Sequence, residues 1–206
     1  MSEFNFLFHI HFVSAETIRI LDIFPALILS SNHPGGVVHM SFAREQSPLL
    51  AETGIRQFQP GDAAAFRRLN EEWITRLFRI EPKEAPILAD PQATILDLGG
   101  RIFFATAGEQ CIGCCALVRI ADKEFEVAKM AVEPSYQRAG IGRRLLHAVI
   151  EEGRNAGAQR LYLETNHTLT PAIRLYESVG FNHIATNRII PSPYARADVY
   201  MELILA

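Results

Sequence analysis

Lys129-Met-Ala-Val-Glu-Pro-Ser-Tyr-Gln-Arg-Ala-Gly-Ile-Gly-Arg-Arg-Leu-Leu146 is the stretch whose reading decides the fold. Met130-Ala-Val132 reads as the end of an apolar strand, Gly140 and Gly142 close a sharp loop, and a helix follows with Arg143 and Arg144 in its first turn. Such a loop presents unpaired backbone N–H groups beside the positive end of a helix dipole, so it can hold an anion.

Downstream, the helix is expected over residues 142–155, with Leu145, Leu146, Val149 and Ile150 on its apolar side and Gly157 as its stop. Residues 160–166 follow as a strand whose alternation puts Leu161, Leu163 and Thr165 on one face and Tyr162, Glu164 and Asn166 on the other. Strand, helix and strand in this order make the two strands parallel neighbours, and ligands in such units gather at the carboxyl ends of the strands. Thr170 is expected to cap a further helix with Pro171 in its first turn, Ala172, Leu175, Tyr176 and Val179 on one face, and Gly180 at its end. Residues 181–185 and 198–204 read as closing strands around a loop with Pro191, Pro193 and Tyr194.

Upstream, residues 55–58 alternate as a short strand, and Asp62 is placed to N-cap a helix over residues 63–80 whose core stripe is Phe66, Leu69, Trp73, Leu77 and Ile80. Short helical pieces are expected over residues 87–89 and 92–98, ended by Gly99-Gly100. Residues 101–107, 110–120 and 125–132 then form an antiparallel meander, its first turn being Gly108-Glu109. Cys111, Cys114 and Cys115 fall in its middle strand, where neighbouring residues point to opposite faces. A disulfide framework is not expected, and with no Cys or His partners at ligand spacing no metal is expected either.

The 206 residues suit one α/β domain with something left over, and 49% apolar against 21% charged residues is an ordinary balance for a globular chain. A net charge of −3 gives no reason to expect nucleic acid or an anionic membrane as partner. The cysteine usage suits a reduced, cytoplasmic setting. Residues 1–39 differ in character: Arg19 is their single basic residue, they hold four of the seven histidines, and Asp22 and Pro25 interrupt an apolar run too short to span a bilayer. Glu3 as first charge does not suit a secretory signal. Either this segment is an extension packed on the domain, or the start codon is assigned upstream of a true one at Met40. The breaker-rich Ser31-Asn-His-Pro-Gly-Gly36 favours the second reading. The domain expectation is therefore an atypical extension over 1–39, a linker over 40–54 and the functional domain over 55–206.

Taken with Leu175-Tyr-Glu-Ser-Val-Gly-Phe181 behind a Glu-bearing strand, Gln137-Arg-Ala-Gly-Ile-Gly142 resembles the GNAT superfamily of N-acetyltransferases, over about residues 55–205. The resemblance implies an α/β (α+β) fold: a mixed, mostly antiparallel central sheet with a central parallel strand pair and flanking helices. It also implies a slot for acetyl-CoA. Gln137, Arg138, Ala139, Gly140, Ile141 and Gly142 match the family's Gln/Arg-x-x-Gly-x-Gly/Ala loop, which binds the pyrophosphate, and Arg143 with Arg144 adds charge. Met130, Ala131 and Val132 match the splayed strand that bonds the pantetheine arm and polarises the acetyl carbonyl. Tyr176 matches the tyrosine that protonates the departing thiolate.

Two glutamates compete for the general base that an ammonium acceptor requires. Glu164 stands twelve residues before Tyr176, as in ribosomal-protein N-terminal acetyltransferases of the superfamily, and Glu126 lies on the splayed strand. Leu169 replaces an asparagine that often bonds the cofactor arm, leaving Asn166 to take over that bond or to end the strand. The expected reaction moves an acetyl group to a primary amine of a small molecule or peptide by direct attack in a ternary complex. The competing readings are a catalytically silent acyl-CoA-binding or regulatory domain and a nucleotide-binding module. The acceptor would be chosen by residues 63–80, the Pro-rich segment after them and the 191–196 loop, and the closing strands could pair across a homodimer.

Overall fold

The apolar run of residues 101–132 forms the centre of the fold in the computed structural model, which describes residues 53–189, 192 and 194–205. The expectations for residues 1–39, for nearly all of the 40–54 linker and for Pro191 and Pro193 lie outside these residues. Strands β1 (Thr53–Gln57), β2 (Arg101–Ala107), β3 (Gln110–Ala121), β4 (Glu124–Val132), β5 (Arg160–Thr165), β6 (Asn182–His183) and β7 (Val199–Ile204) make one sheet in the order β1-β2-β3-β4-β5-β7-β6. Every pair is antiparallel except β4 with β5. The expected mixed sheet with one central parallel pair is therefore present.

Helices cover both faces, which is why β2 and β3 read as nearly continuous apolar runs. On one face α1 (Ala63–Leu77) and α2 (Glu84–Ala89) pack Phe66, Leu69, Ile74 and Leu88 against Ile102, Phe104, Cys114 and Ala116. On the other, α3 (Ile141–Asn155) and α4 (Thr170–Ser178) bring Leu145, Leu146, Val149, Ile150 and Tyr176 onto Phe103, Cys115, Leu117, Val127, Leu161 and Leu163. The three cysteines are free and buried, divided between the two faces. A register shift opposite Ala105 and Thr106 puts Cys111 on the same face as Cys114, three positions away.

Several expected local details differ. Helix α1 stops at Leu77 rather than 80, leaving Leu77 52% exposed, because Phe78 is already extended. Asp62 precedes that helix without capping it, since its carboxylate accepts from both Arg56 guanidinium nitrogens, at 2.6 and 3.0 Å, and from the Gln59 N–H at 2.7 Å. Thr170 is the first residue of α4, not its cap, and Leu169 holds the cap position with no side-chain bond. The expected strand over 181–185 shrinks to β6. Helix α2 starts earlier than 87, with Pro86 in its opening turn, and residues Gln92–Leu96 form one π-helical turn.

Gly100, just before β2, marks the tightest backbone approach. A Cβ there would stand 2.6 Å from the Leu117 carbonyl oxygen and 2.9 Å from that of Ile95. Neither oxygen belongs to a side chain that can swing away, so overpacking must move a strand. Gly100→Ala is expected to cost about 3 kcal/mol and to lower Tm by roughly 6–12 °C, measured by thermal unfolding; a shift below 2 °C would show that the turn yields.

Candidate active site

Strands β4 and β5 stay paired only where Glu124, Phe125 and Glu126 face Arg160, Leu161 and Tyr162. Beyond that point β5 follows β7 to Thr165 while β4 follows β3 to Val132, so the two part toward their carboxyl ends. A bulge helps to turn β4 away: its register against β3 shifts between Ala116↔Ala128 and Cys114↔Ala131, and Lys129 within it has φ +53°. Residues 127–132 thus keep a strand edge with no β5 partner, and buried backbone groups of this kind require partners. The gap widens into a cavity of about 720 Å³ that runs from Glu126 and Glu164 past Met130 and Val132 to Gly140 and Arg143.

At its far end the loop before α3 has the expected form. Arg138 (φ +64°) and Gly140 (φ +81°) turn the chain through the left-handed region, and Gln137 Nε2 ties it to the Val132 carbonyl at 2.9 Å. The first helical bond of α3 runs from the Arg144 N–H to the Gly140 carbonyl at 3.1 Å, so the N–H groups of Ile141, Gly142 and Arg143 precede it without intrahelical acceptors. Gly142 serves packing as well, since a Cβ there would meet Leu175 at 3.0 Å. Gln137, Arg138, Gly140, Gly142 and Arg143 border the cavity. Ile141 also borders it but is otherwise buried in the core, while Ala139 packs on that core. Arg144 turns elsewhere, donating to the Thr53 hydroxyl at 2.6 Å and carbonyl at 2.8 Å, which ties α3 to β1.

Met130, Ala131 and Val132 all border the cavity, Ala131 being the one that also packs into the α1-side core. Tyr176 borders it from α4 at 7% exposure, edge-on to Phe181 with centroids 6.1 Å apart. Its hydroxyl has no hydrogen bond among the described residues, and burial pushes its pKa well above the ordinary phenol value, so it keeps its proton. Glu126 and Glu164 face the same cavity in different surroundings. Burial first, and then the neighbouring Glu164 charge, raise the Glu126 carboxyl to about 7 against the opposing pull of the Lys129 ammonium. No hydrogen bond holds Glu126 among the described residues, whereas Glu164 accepts from the Tyr162 hydroxyl at 2.9 Å and from the Ser192 hydroxyl.

Asn166 is occupied within the protein. Its carbonyl accepts from the Thr168 N–H at 3.0 Å and hydroxyl at 2.6 Å, and its amide donates to the Arg196 carbonyl at 2.6 Å, stitching the end of β5 to the 194–198 turn. His167 is paired with Asp198 rather than turned to the cavity alone.

The sequence reading missed a set of charges at the opposite end. Glu84, 0% exposed, takes the Lys129 ammonium at 3.1 Å and both guanidinium nitrogens of Arg196, one at 2.8 Å. Burial raises the Glu84 pKa, but the Arg196 bonds and the Lys129 charge outweigh it and hold the carboxyl below its ordinary value. Tyr194 lies between the cations, its ring centre 4.9 Å from Lys129 and 5.2 Å from Arg196, and Arg196 also lies 5.6 Å over Phe78. These residues are 45 and 112 positions apart from Glu84, so no local pattern announces them. Among the described residues no group of three or more His, Cys, Asp or Glu is placed to hold a metal ion, and no helix is long and apolar enough to cross a membrane.

The model of the acetyltransferase (GNAT) family matches residues 65–181. The chain is 40% identical over 84 residues to the [ribosomal protein bS18]-alanine N-acetyltransferase of Escherichia coli K12, a match that covers 40% of this chain and 57% of that protein, little more than half its length. The crystal structure of the E. coli ribosomal-protein-S18-alanine N-acetyltransferase superimposes with a TM-score of 0.57 at 26% identity, over 74% of this chain and 93% of that one. A GNAT-family acetyltransferase from Staphylococcus aureus Mu50 gives a TM-score of 0.68 at 19% identity (75% and 99% covered). The yncA protein of Salmonella typhimurium, solved with its cofactor acetyl-CoA, gives 0.61 at 22% (75% and 95%). The last two likenesses concern the fold alone. With the family model spanning more than half of the chain and the central strands parted as described, this chain belongs to the acetyltransferase (GNAT) family.

Proposed function

We propose that this protein transfers the acetyl group of acetyl-CoA to a primary amine by direct attack in a ternary complex, with Glu126 as general base and Tyr176 as general acid. The observation that carries the reading is the cavity between β4 and β5, bordered at one end by the glycine loop and at the other by Glu126, which has no bonding partner among the described residues, with Tyr176 along its wall.

The residues present fit the cofactor. Three N–H groups at the start of α3, together with Arg138 and Arg143, supply donors and charge for a pyrophosphate. The open edge of β4 matches a pantetheine arm, whose amides can complete a ladder that β5 has left. Bound there, the thioester supplies the acetyl group and a thiolate leaving group. Backbone donors of residues 130–132 meet the charge that grows on the acyl oxygen as the carbonyl is attacked.

An acceptor amine arrives mostly protonated at neutral pH and must lose a proton before its nitrogen bonds the acyl carbon. Glu126 can receive that proton because its pKa of about 7 leaves a large ionised fraction while keeping it basic. Glu164 is held by two hydroxyls and is better described as the charge that tunes Glu126. As the carbon–sulfur bond breaks, Tyr176 gives the proton of its phenol oxygen to the departing sulfur, and the second proton that the nitrogen sheds on becoming an amide restores the phenol.

Acetyl-CoA with a panel of amines should release free thiol; tight CoA binding with no release on any acceptor would instead mark a silent binding domain. Tyr176→Phe should lower kcat about 100-fold with CoA affinity nearly unchanged, and an unaltered kcat would return the residue to the core. The pH profile of kcat/KM should rise through an apparent pKa near 7, the value set by Glu126. Glu126→Gln should abolish that limb, and Glu164→Gln should move it to lower pH, because the Glu164 charge is one of the causes that raise Glu126. A limb that survives Glu126→Gln would reassign the base.

The same shift has a stability consequence. The folded Glu126 carboxyl is raised above its unfolded value, so the native state binds the extra proton and stability falls as pH climbs from about 4.5 to about 7. Glu126→Gln should therefore raise Tm at pH 8 by roughly 6–12 °C, from about 3 kcal/mol, and by much less at pH 4.5. A shift equal at both pH values would contradict the titration.

A further inference from the structure

The charged side chains that border the acceptor half of the cavity are nearly all spent on one another. Lys129 and Arg196 are paired with Glu84, Arg196 lies 3.5 Å from Glu81 as well, and Glu164 is held by Tyr162 and Ser192. Two of opposite sign are left without a bonding partner among the described residues: Glu126 on β4 and Arg76 in the last turn of α1. Beside Arg76, three residues earlier and so on the same helix face, Trp73 buries an indole N–H that has no acceptor among the described residues. An unmet buried donor costs free energy unless a ligand supplies the acceptor. Leu77, half exposed at the same helix end, and Phe78 add apolar wall around these donors.

One unspent carboxylate, two unspent donors that include a guanidinium, and an apolar wall together describe the complement of a zwitterion. Resting on the acetyl-transfer reading above, we infer that the acceptor is a free amino acid with an apolar or aromatic side chain, its ammonium facing Glu126 and its carboxylate met by Arg76 and the Trp73 N–H. A guanidinium can bond a carboxylate through two parallel N–H groups, which an amide or ester cannot match. The negative end of the α1 dipole opposes an anion at this place, so selectivity falls on Arg76 itself.

The test compares L-leucine, L-methionine and L-phenylalanine, each as the free acid, the carboxamide and the decarboxylated amine, with short peptides and spermidine alongside, by thiol release from acetyl-CoA. The free acids should exceed their amides and decarboxylated amines by tenfold or more in kcat/KM, as expected for a lost charge-assisted pair. Arg76→Gln should raise KM for the acids about tenfold with a smaller rise for the amides and little change in KM for acetyl-CoA, while Arg76→Lys recovers part of the preference. Equal turnover of acids and amides, preference for peptide N-termini or spermidine, or an Arg76→Gln effect that is uniform across acceptors would overturn the assignment while leaving acetyl transfer intact. Absence of thiol release with every amine would overturn both.

Discussion

Parallel pairing of β4 with β5 lasts for three residues on each strand, and the remainder of the structure answers to the place where it stops. Had the ladder continued to Val132 and Thr165, the backbone of the strand pair would be satisfied and no slot would open. Each strand instead keeps its other neighbour, β3 or β7, so the sheet stays continuous at its base while its centre splits toward the carboxyl ends. An extended ligand with its own amides can take the vacated edge, and the α3 N-terminus lies at the end of that edge because Gln137 bonds the last β4 residue.

Keeping the split open requires a kink in β4, and Lys129 sits at it in a left-handed conformation worth roughly 1–3 kcal/mol of strain. Its ammonium is held by Glu84 and lies over Tyr194, so the bulge is tied to α2 and to the 194–198 turn. A buried ion set is a weak source of net stability, because desolvation consumes most of the attraction, yet losing one member leaves an uncompensated charge at about 3–5 kcal/mol. The arrangement therefore acts more on geometry than on total stability: the kinked strand β4 and the segments that wall its end of the cavity are joined through one carboxylate.

Electrostatics then separates two glutamates that look alike in a list of residues. Glu164 meets hydroxyls that satisfy its charge, while Glu126 has burial and a like charge for company and titrates near neutrality. The difference is one of environment, as it is between the fully buried cysteines Cys114 and Cys115 and an exposed thiol: burial pushes both thiols up, Cys114 to about 12.

Much of the fold was legible in the sequence because it is written in local terms. Period-two alternation marked β1 and β5, apolar runs set off by short turns marked β2 and β3, period 3.6 marked α1 and α3, and Gly140 and Gly142 marked the loop, Gly140 accepting a positive φ within it. The family resemblance of Gln137 to Gly142 and of Leu175 to Phe181 pointed to a loop and a tyrosine that border one cavity. Local rules failed where a distant partner outbid the local one: Asp62 abandons its cap for Arg56, Arg144 leaves the anion loop for Thr53, and Asn166 joins Arg196. The end of the cavity opposite the glycine loop was invisible for the same reason, since Glu84, Lys129 and Arg196 meet only once α2, β4 and the last turn have docked. Sequence by itself determined the strands, the two long helices and the glycine loop, because those follow from nearest-neighbour chemistry and periodicity. Tertiary structure alone decided which glutamate is desolvated, which cations are spent and which arginine is left facing the cavity, because charge balance depends on distances that chain spacing does not carry.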